Sequence, residues 1–150
     1  MVIVKRLGQP TPTSQYRRSI YLLSRRAYHP TFLDVFDQPL LPANCVERKT
    51  SSVVTQSLTM LNDSFMRERA EDFARRVAKD TTGQERIDLA FCIALGRSPK
   101  AKEIELSVGL LQRQGERYRV AKMPAAQASQ RALADLCHML MNTNEFLYVP

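Results

Sequence analysis

Tryptophan is absent from the chain, and its 150 residues include only three cysteines and five glycines. Cys45, Cys92 and Cys137 are too few and too scattered for a disulfide framework. There is no C-x-x-C or C-x-x-C-H, so the chain by itself cannot attach a c-type haem. The adjacent pair Cys137-His138 is a poor metal site, because neighbours on a helix point about 100° apart. The isolated glycines form no phosphate-cradling loop. No apolar run approaches the roughly 18 residues of a membrane span, and the N-terminal stretch has no apolar signal-peptide region. Neither a cofactor nor a metal is therefore expected.

An apolar content of 44% with 25% charged residues is ordinary for a soluble globular domain. The net charge of +7 is unevenly spread. Residues 1–31 hold Lys5, Arg6, Arg17, Arg18, Arg25 and Arg26 with no acid, which leaves only +1 for residues 32–150. The basic excess thus belongs to the N-terminal arm, where it suits nucleic acid, an acidic partner surface or plain solvation.

The pattern predicts a mainly α fold, a compact bundle of about five helices behind an extended, proline-containing segment. Residues 1–15 read as a flexible tail and 16–150 as one helical domain whose lead-in is 16–50. Within the lead-in, residues 17–23 fit a short strand or a helix start and are read as strand-like, since Pro30, Pro39 and Pro42 follow. The first helix begins near Ser51 or Ser52, with Val54, Leu58, Leu61 and Phe65 on one face. Met66, Ala70, Phe73 and Val77 share a face turned by about 100–120° from the first, so a break is expected at Asn62-Asp63-Ser64. Thr82 and Glu85 have capping-box spacing before a helix burying Ile87, Ala90, Phe91 and Ala94. Gly96 can end that helix, and Ser98-Pro99 start the next, with Ile104, Val108, Leu111 and Tyr118 inward. Pro124 opens the last helix, with Leu133, Leu136, Cys137 and Leu140 inward. Cys92 and Cys137 are both expected on apolar faces as reduced thiols.

Few residues invite a chemical role. His29 and Cys45 lie in the irregular lead-in, where a nucleophilic cysteine would need a base and nearby positive charge such as Arg48 or Lys49. Gln56 and Asn62 offer amides to a ligand; the plainer readings are that Gln56 satisfies buried lead-in backbone and Asn62 caps a helix end. Arg17, Arg18, Arg25, Arg26 and Arg48 are candidates for contact with phosphate or an acidic surface. Glu103 and Glu105, two apart on a polar face, read as solvated charge.

One set of strings is distinctive. Arg17-Arg18-Ser19-Ile20-Tyr21-Leu22, His29-Pro30, Gln56-Ser57-Leu58 and Leu61-Asn62-Asp63 occur in that order. Leu95-Gly96-Arg97-Ser98-Pro99, Glu103 and Asn144-Glu145-Phe146-Leu147-Tyr148 come after them. Over about residues 16–150 this resembles domain-of-unknown-function family 1553, a C-terminal domain of large proteins of planctomycete-type bacteria. Val54, Ser57 and Ser64 depart from the residues common at those places in the family. The resemblance implies a cytochrome-c-type haem domain upstream, frequent export to the periplasm or cell envelope, and no catalytic residues to carry over.

The leading expectation is a non-catalytic structural or interaction domain that packs on other domains of a larger envelope protein. The alternative is a basic nucleic-acid-binding module using residues 1–31. A third reading is a cysteine-dependent enzyme built on Cys45.

Overall fold

The computed structural model describes Val35, Phe36 and residues 54–147. Two compact units divide the chain, Met1–Thr59 and Met60–Pro150. The described residues form α1 (Val54–Asn62), α2 (Ser64–Asp80), α3 (Glu85–Leu95), α4 (Ala101–Val120), α5 (Ala125–Met141) and the single turn α6 (Asn144–Leu147). No strand occurs among them, and the fold is mainly α. The strand-like stretch 17–23 and the start of the first helix at Ser51 or Ser52 lie outside the described residues.

The break between α1 and α2 falls at Asp63. That residue is extended, and its carboxylate Oδ1 accepts the Phe65 amide at 2.7 Å. A free donor of the first turn is thereby satisfied. The cap is Asp63 rather than Asn62, which closes α1 and whose carbonyl accepts from Arg67 Nη2 at 3.2 Å. From there Met66, Ala70, Ala74 and Val77 run inward along α2, with Phe73 packed beside them.

Gly83, at φ 57°, turns the chain into α3, and the Thr82 amide donates to Glu85 Oε2 at 3.4 Å, one half of the expected capping box. Ile87, Ala90 and Phe91 are buried and Ala94 packs against the core. Gly96 then closes α3 in the left-handed conformation at φ 69°, its amide bonded to the Cys92 carbonyl at 3.0 Å.

α5 is the centre of the second unit. It packs against α2, α3, α4 and α6, and it buries Ala128, Ala132, Leu133, Ala134, Leu136, Cys137 and Leu140. Ala128, Ala132 and Asp135 share one side of α5 at i, i+4 and i+7. Asp135 Oδ2 accepts from the Tyr118 hydroxyl of α4 at 2.9 Å, so that side faces α4 and its alanines let the two helices approach closely. Burial and Asp135 together hold the Tyr118 phenol above its ordinary pKa.

Four expectations need correction. Of the expected first-helix face, Leu58 and Leu61 on α1 and Phe65, which falls on α2, are exposed, while Gln56 and Met60 on α1 are buried. His138 Nε2, which must be the protonated nitrogen because its partner is a carbonyl, donates to the Met60 oxygen at 2.8 Å. A tertiary contact therefore selects the buried side of the helix end over the more apolar one. Ser98-Pro99 does not start α4: Lys100 stands at its cap position and the helix begins at Ala101. Along α4 the inward side is turned from exposed Val108 towards Ser107, which is 2% exposed, with Leu110 and Leu111 against the core. The Ser107 hydroxyl is satisfied locally, donating to the Glu103 carbonyl at 2.7 Å. Cys137 is buried, but Cys92 is exposed, because it lies a step of about 100° round α3 from inward-facing Phe91.

Gly109 and Gly115 lie inside α4, and a methyl group at either would meet no heavy atom within 4 Å. Replacing both by alanine is expected to stabilise the protein by about 1–2 kcal/mol in total, since alanine loses less backbone freedom on folding. Urea titration of the double variant checks this.

Candidate functional site

The most densely bonded polar cluster among the described residues joins three separated elements. Arg97 leaves α3 just after the left-handed Gly96, in a bend at the start of the connection to Lys100. Its guanidinium lies over the Phe91 ring, 5.8 Å from the centroid, within cation–π range. On one side Nη1 and Nη2 donate to Glu103 Oε2 and Oε1, both at 2.9 Å. On the other, Nε and Nη2 donate to Glu145 Oε1 and Oε2 at 2.7 and 2.8 Å. Nη1 also reaches the Ser98 carbonyl at 3.2 Å. Two carboxylates thus grip one planar cation bidentately, a geometry that lysine cannot supply.

Glu103 serves the helix as well. Its Oε2 accepts the Lys100 amide at 2.6 Å, so the first turn of α4 is capped by the same carboxylate that holds Arg97. Glu103 is therefore not the solvated charge its sequence setting suggests. The bonds from Arg97, then that from the Lys100 amide, lower its pKa from 4.5 to about 2. Glu145 is also held below the usual carboxylate range, chiefly by Arg97. The two carboxylates in turn raise the Arg97 pKa, keeping it a permanent cation.

The folded pKa of Glu103 lies below its unfolded one, so its contribution to stability is complete above about pH 4.5 and is lost as pH falls towards 2. Arg97→Met removes that linkage. The variant is expected to have a lower Tm at neutral pH and a shallower fall in Tm between those two pH values than the parent, checked by thermal melts across the range.

Chemically, this cluster fastens elements together. Its three charged groups, Arg97, Glu103 and Glu145, are paired with one another, and the thiol of Cys92 on α3 is exposed. Burial pushes the Cys137 thiol up to about 12, which keeps it protonated and unreactive at neutral pH. Among the described residues no group of three or more His, Cys, Asp or Glu is placed to hold a metal ion, and no helix is long and apolar enough to cross a membrane.

Of the sequence candidates, Gln56 is buried and its Nε2 donates to the Val35 carbonyl at 3.1 Å. Asn62 is exposed at the end of α1. Arg17, Arg18, Arg25, Arg26, His29, Cys45 and Arg48 lie outside the described residues. The Arg97 cluster was missed as a site because its partners stand 6 and 48 positions away. One signal was present: Arg97, Glu103 and Glu145 all belong to the distinctive strings.

The described residues form a helical domain with a paired-ion corner. A family model described as "Protein of unknown function (DUF1553)", PSD1, matches residues 5–111, and the chain belongs to that family. The match takes in Arg97 and Glu103, whereas Glu145 lies beyond it. No curated protein and no solved structure matches the chain.

Proposed function

We propose that the chain is a non-catalytic structural or interaction domain, whose helical body packs against other domains of a larger bacterial envelope protein. The observation that carries this reading is the Arg97 cluster. Three of the distinctive strings, those holding Arg97, Glu103 and Glu145, meet in a closed set of ion pairs that ties α3, α4 and α6 together. The reading extends to a planctomycete-type parent protein with a cytochrome-c-type domain, on the strength of the resemblance. An open frame continuing upstream into a haem-bearing domain would support that extension, and an upstream stop would remove it. The non-catalytic reading is tested by screening the chain for hydrolytic and redox turnover. Activity abolished by Cys45→Ala or His29→Ala would overturn it in favour of a cysteine-dependent enzyme.

A second reading rests on the six cations and no acids of residues 1–31. A basic arm binding nucleic acid predicts affinity that falls steeply with salt and vanishes when the arm is deleted. Salt-independent binding, or binding that survives the deletion, would exclude it.

A further inference from the structure

The short turn α6 is attached differently from the other described helices. Each of those contributes at least one buried residue, whereas α6 contributes none: Asn144, Glu145 and Phe146 are exposed and Leu147 is half-buried. A single turn does not hold its own shape, since isolated helices in water are marginal below about 12–15 residues. Its remaining bonds are local. The Thr143 carbonyl accepts the Phe146 and Leu147 amides, both at 3.1 Å, and the Thr143 hydroxyl donates to the Leu140 carbonyl at 2.8 Å. Among the described residues, the hydrogen bonds that leave α6 for another element are the two from Arg97 to Glu145. α6 lies against α3 and α5, but with so little burial its attachment rests on charge.

The two carboxylates that grip Arg97 are not equivalent. Glu103 stands six positions away, its side chain is 29% exposed, and it also accepts the Lys100 amide. It is built into the start of α4 and stays there when α6 moves. Glu145 is 48 positions away and 46% exposed, and Arg97 is its partner. A pair with one side in water is weakened by salt, and its loss is not costly here. Removing one partner of an ion pair is expensive when it strands the other charge. Arg97 is not stranded, because Glu103 still holds it through Nη1 and Nη2. We infer that α6 is a charge-held strap, which opens from α3 and α5 as a unit while the bundle stays folded, with the Arg97–Glu145 pair as its catch. Opening uncovers the parts of α3 and α5 against which α6 packs, and it frees one side of the Arg97 fork. Such local opening at low free energy is how segments with few buried contacts behave. This strap is separate from the interaction-domain reading and does not depend on it.

The test is amide hydrogen exchange of the full chain, read as protection factors at fixed pH. Glu145→Gln keeps the shape of the side chain and removes its charge. It is expected to lower protection of the Phe146 and Leu147 amides about tenfold, the scale of one charge-assisted hydrogen bond. The amides of Val77 and Leu136, both in the core, should keep the protection of the parent, which shows that the variant is folded. Raising NaCl from about 0.1 to about 1 M cuts the screening length from about 10 to about 3 Å. That change should lower α6 protection in the parent and leave it unaltered in Glu145→Gln. Leu147→Ala, which trims packing and spares the ion pair, should cost α6 less protection than Glu145→Gln does. Three results would each overturn the strap. One is equal loss of protection at α6 and at Val77 and Leu136, which would mean that α6 opens only with the bundle. Another is α6 protection in the parent that is indifferent to salt. The third is a larger loss in Leu147→Ala than in Glu145→Gln, which would make packing the catch.

Discussion

Phe91→Ala is expected to remove about 3–5 kcal/mol of stability, the usual cost of emptying a buried aromatic site. The Phe91 side chain is 4% exposed and lies in the cluster that joins α2, α3 and α5. Its ring is also the surface over which the Arg97 guanidinium sits. The substitution therefore acts twice, opening a cavity below and leaving the ion cluster without its aromatic floor. Phe91→Leu refills much of the cavity but restores no ring. The two variants, compared by urea unfolding, separate the terms: the leucine variant should recover most of the stability, while its α6 amides exchange hydrogen faster than the parent's. Equal exchange at α6 in both proteins would show that the ring contributes volume alone.

Leu136→Ala should cost about 2–5 kcal/mol for the same reason at a different place. Leu136 is fully enclosed on α5, with Leu133, Cys137 and Leu140 along the same helix. Little can collapse into the gap, because α5 is already wedged among α2, α3 and α4. A small domain has about 5–15 kcal/mol in all, so the variant should melt far below the parent. Leu106→Ala on the exposed side of α4 is the control, expected within about 0.5 kcal/mol of the parent. A Leu136→Ala protein that melted with that control would place the centre of the core elsewhere.

Both predictions concern positions whose inward direction was legible from spacing alone. The break after α1, the left-handed stop at Gly96 and the stripes of α2, α3 and α5 follow from local chemistry: a cap, a residue without Cβ, and apolar side chains every three or four positions. The exposed Leu58 and Leu61 and the buried Ser107 did not follow. Their orientation depends on tertiary packing, as the bond of the His138 ring to the Met60 carbonyl shows for the first helix. Arg97 was hidden for a related reason. An ion pair spanning 48 positions leaves no periodic trace, so its membership of distinctive strings could be read but its partners could not. The candidate residues of the lead-in, from Arg17 to Arg48, lie outside the described residues, and they await the binding and activity tests above.

The central place of α5 also bears on the order in which the second unit is made. α2 and α3 leave the ribosome with their apolar sides complete, yet seven of the fifteen buried apolar residues of the described chain reside on α5, more than forty positions after α2 ends. Synthesis at about 5–20 residues per second keeps those sides uncovered for seconds, an interval in which helices form and fray many times over. Nascent chains stalled before and after Leu140 should therefore differ sharply in protease resistance, and the family-model match, residues 5–111, ends before α5 begins.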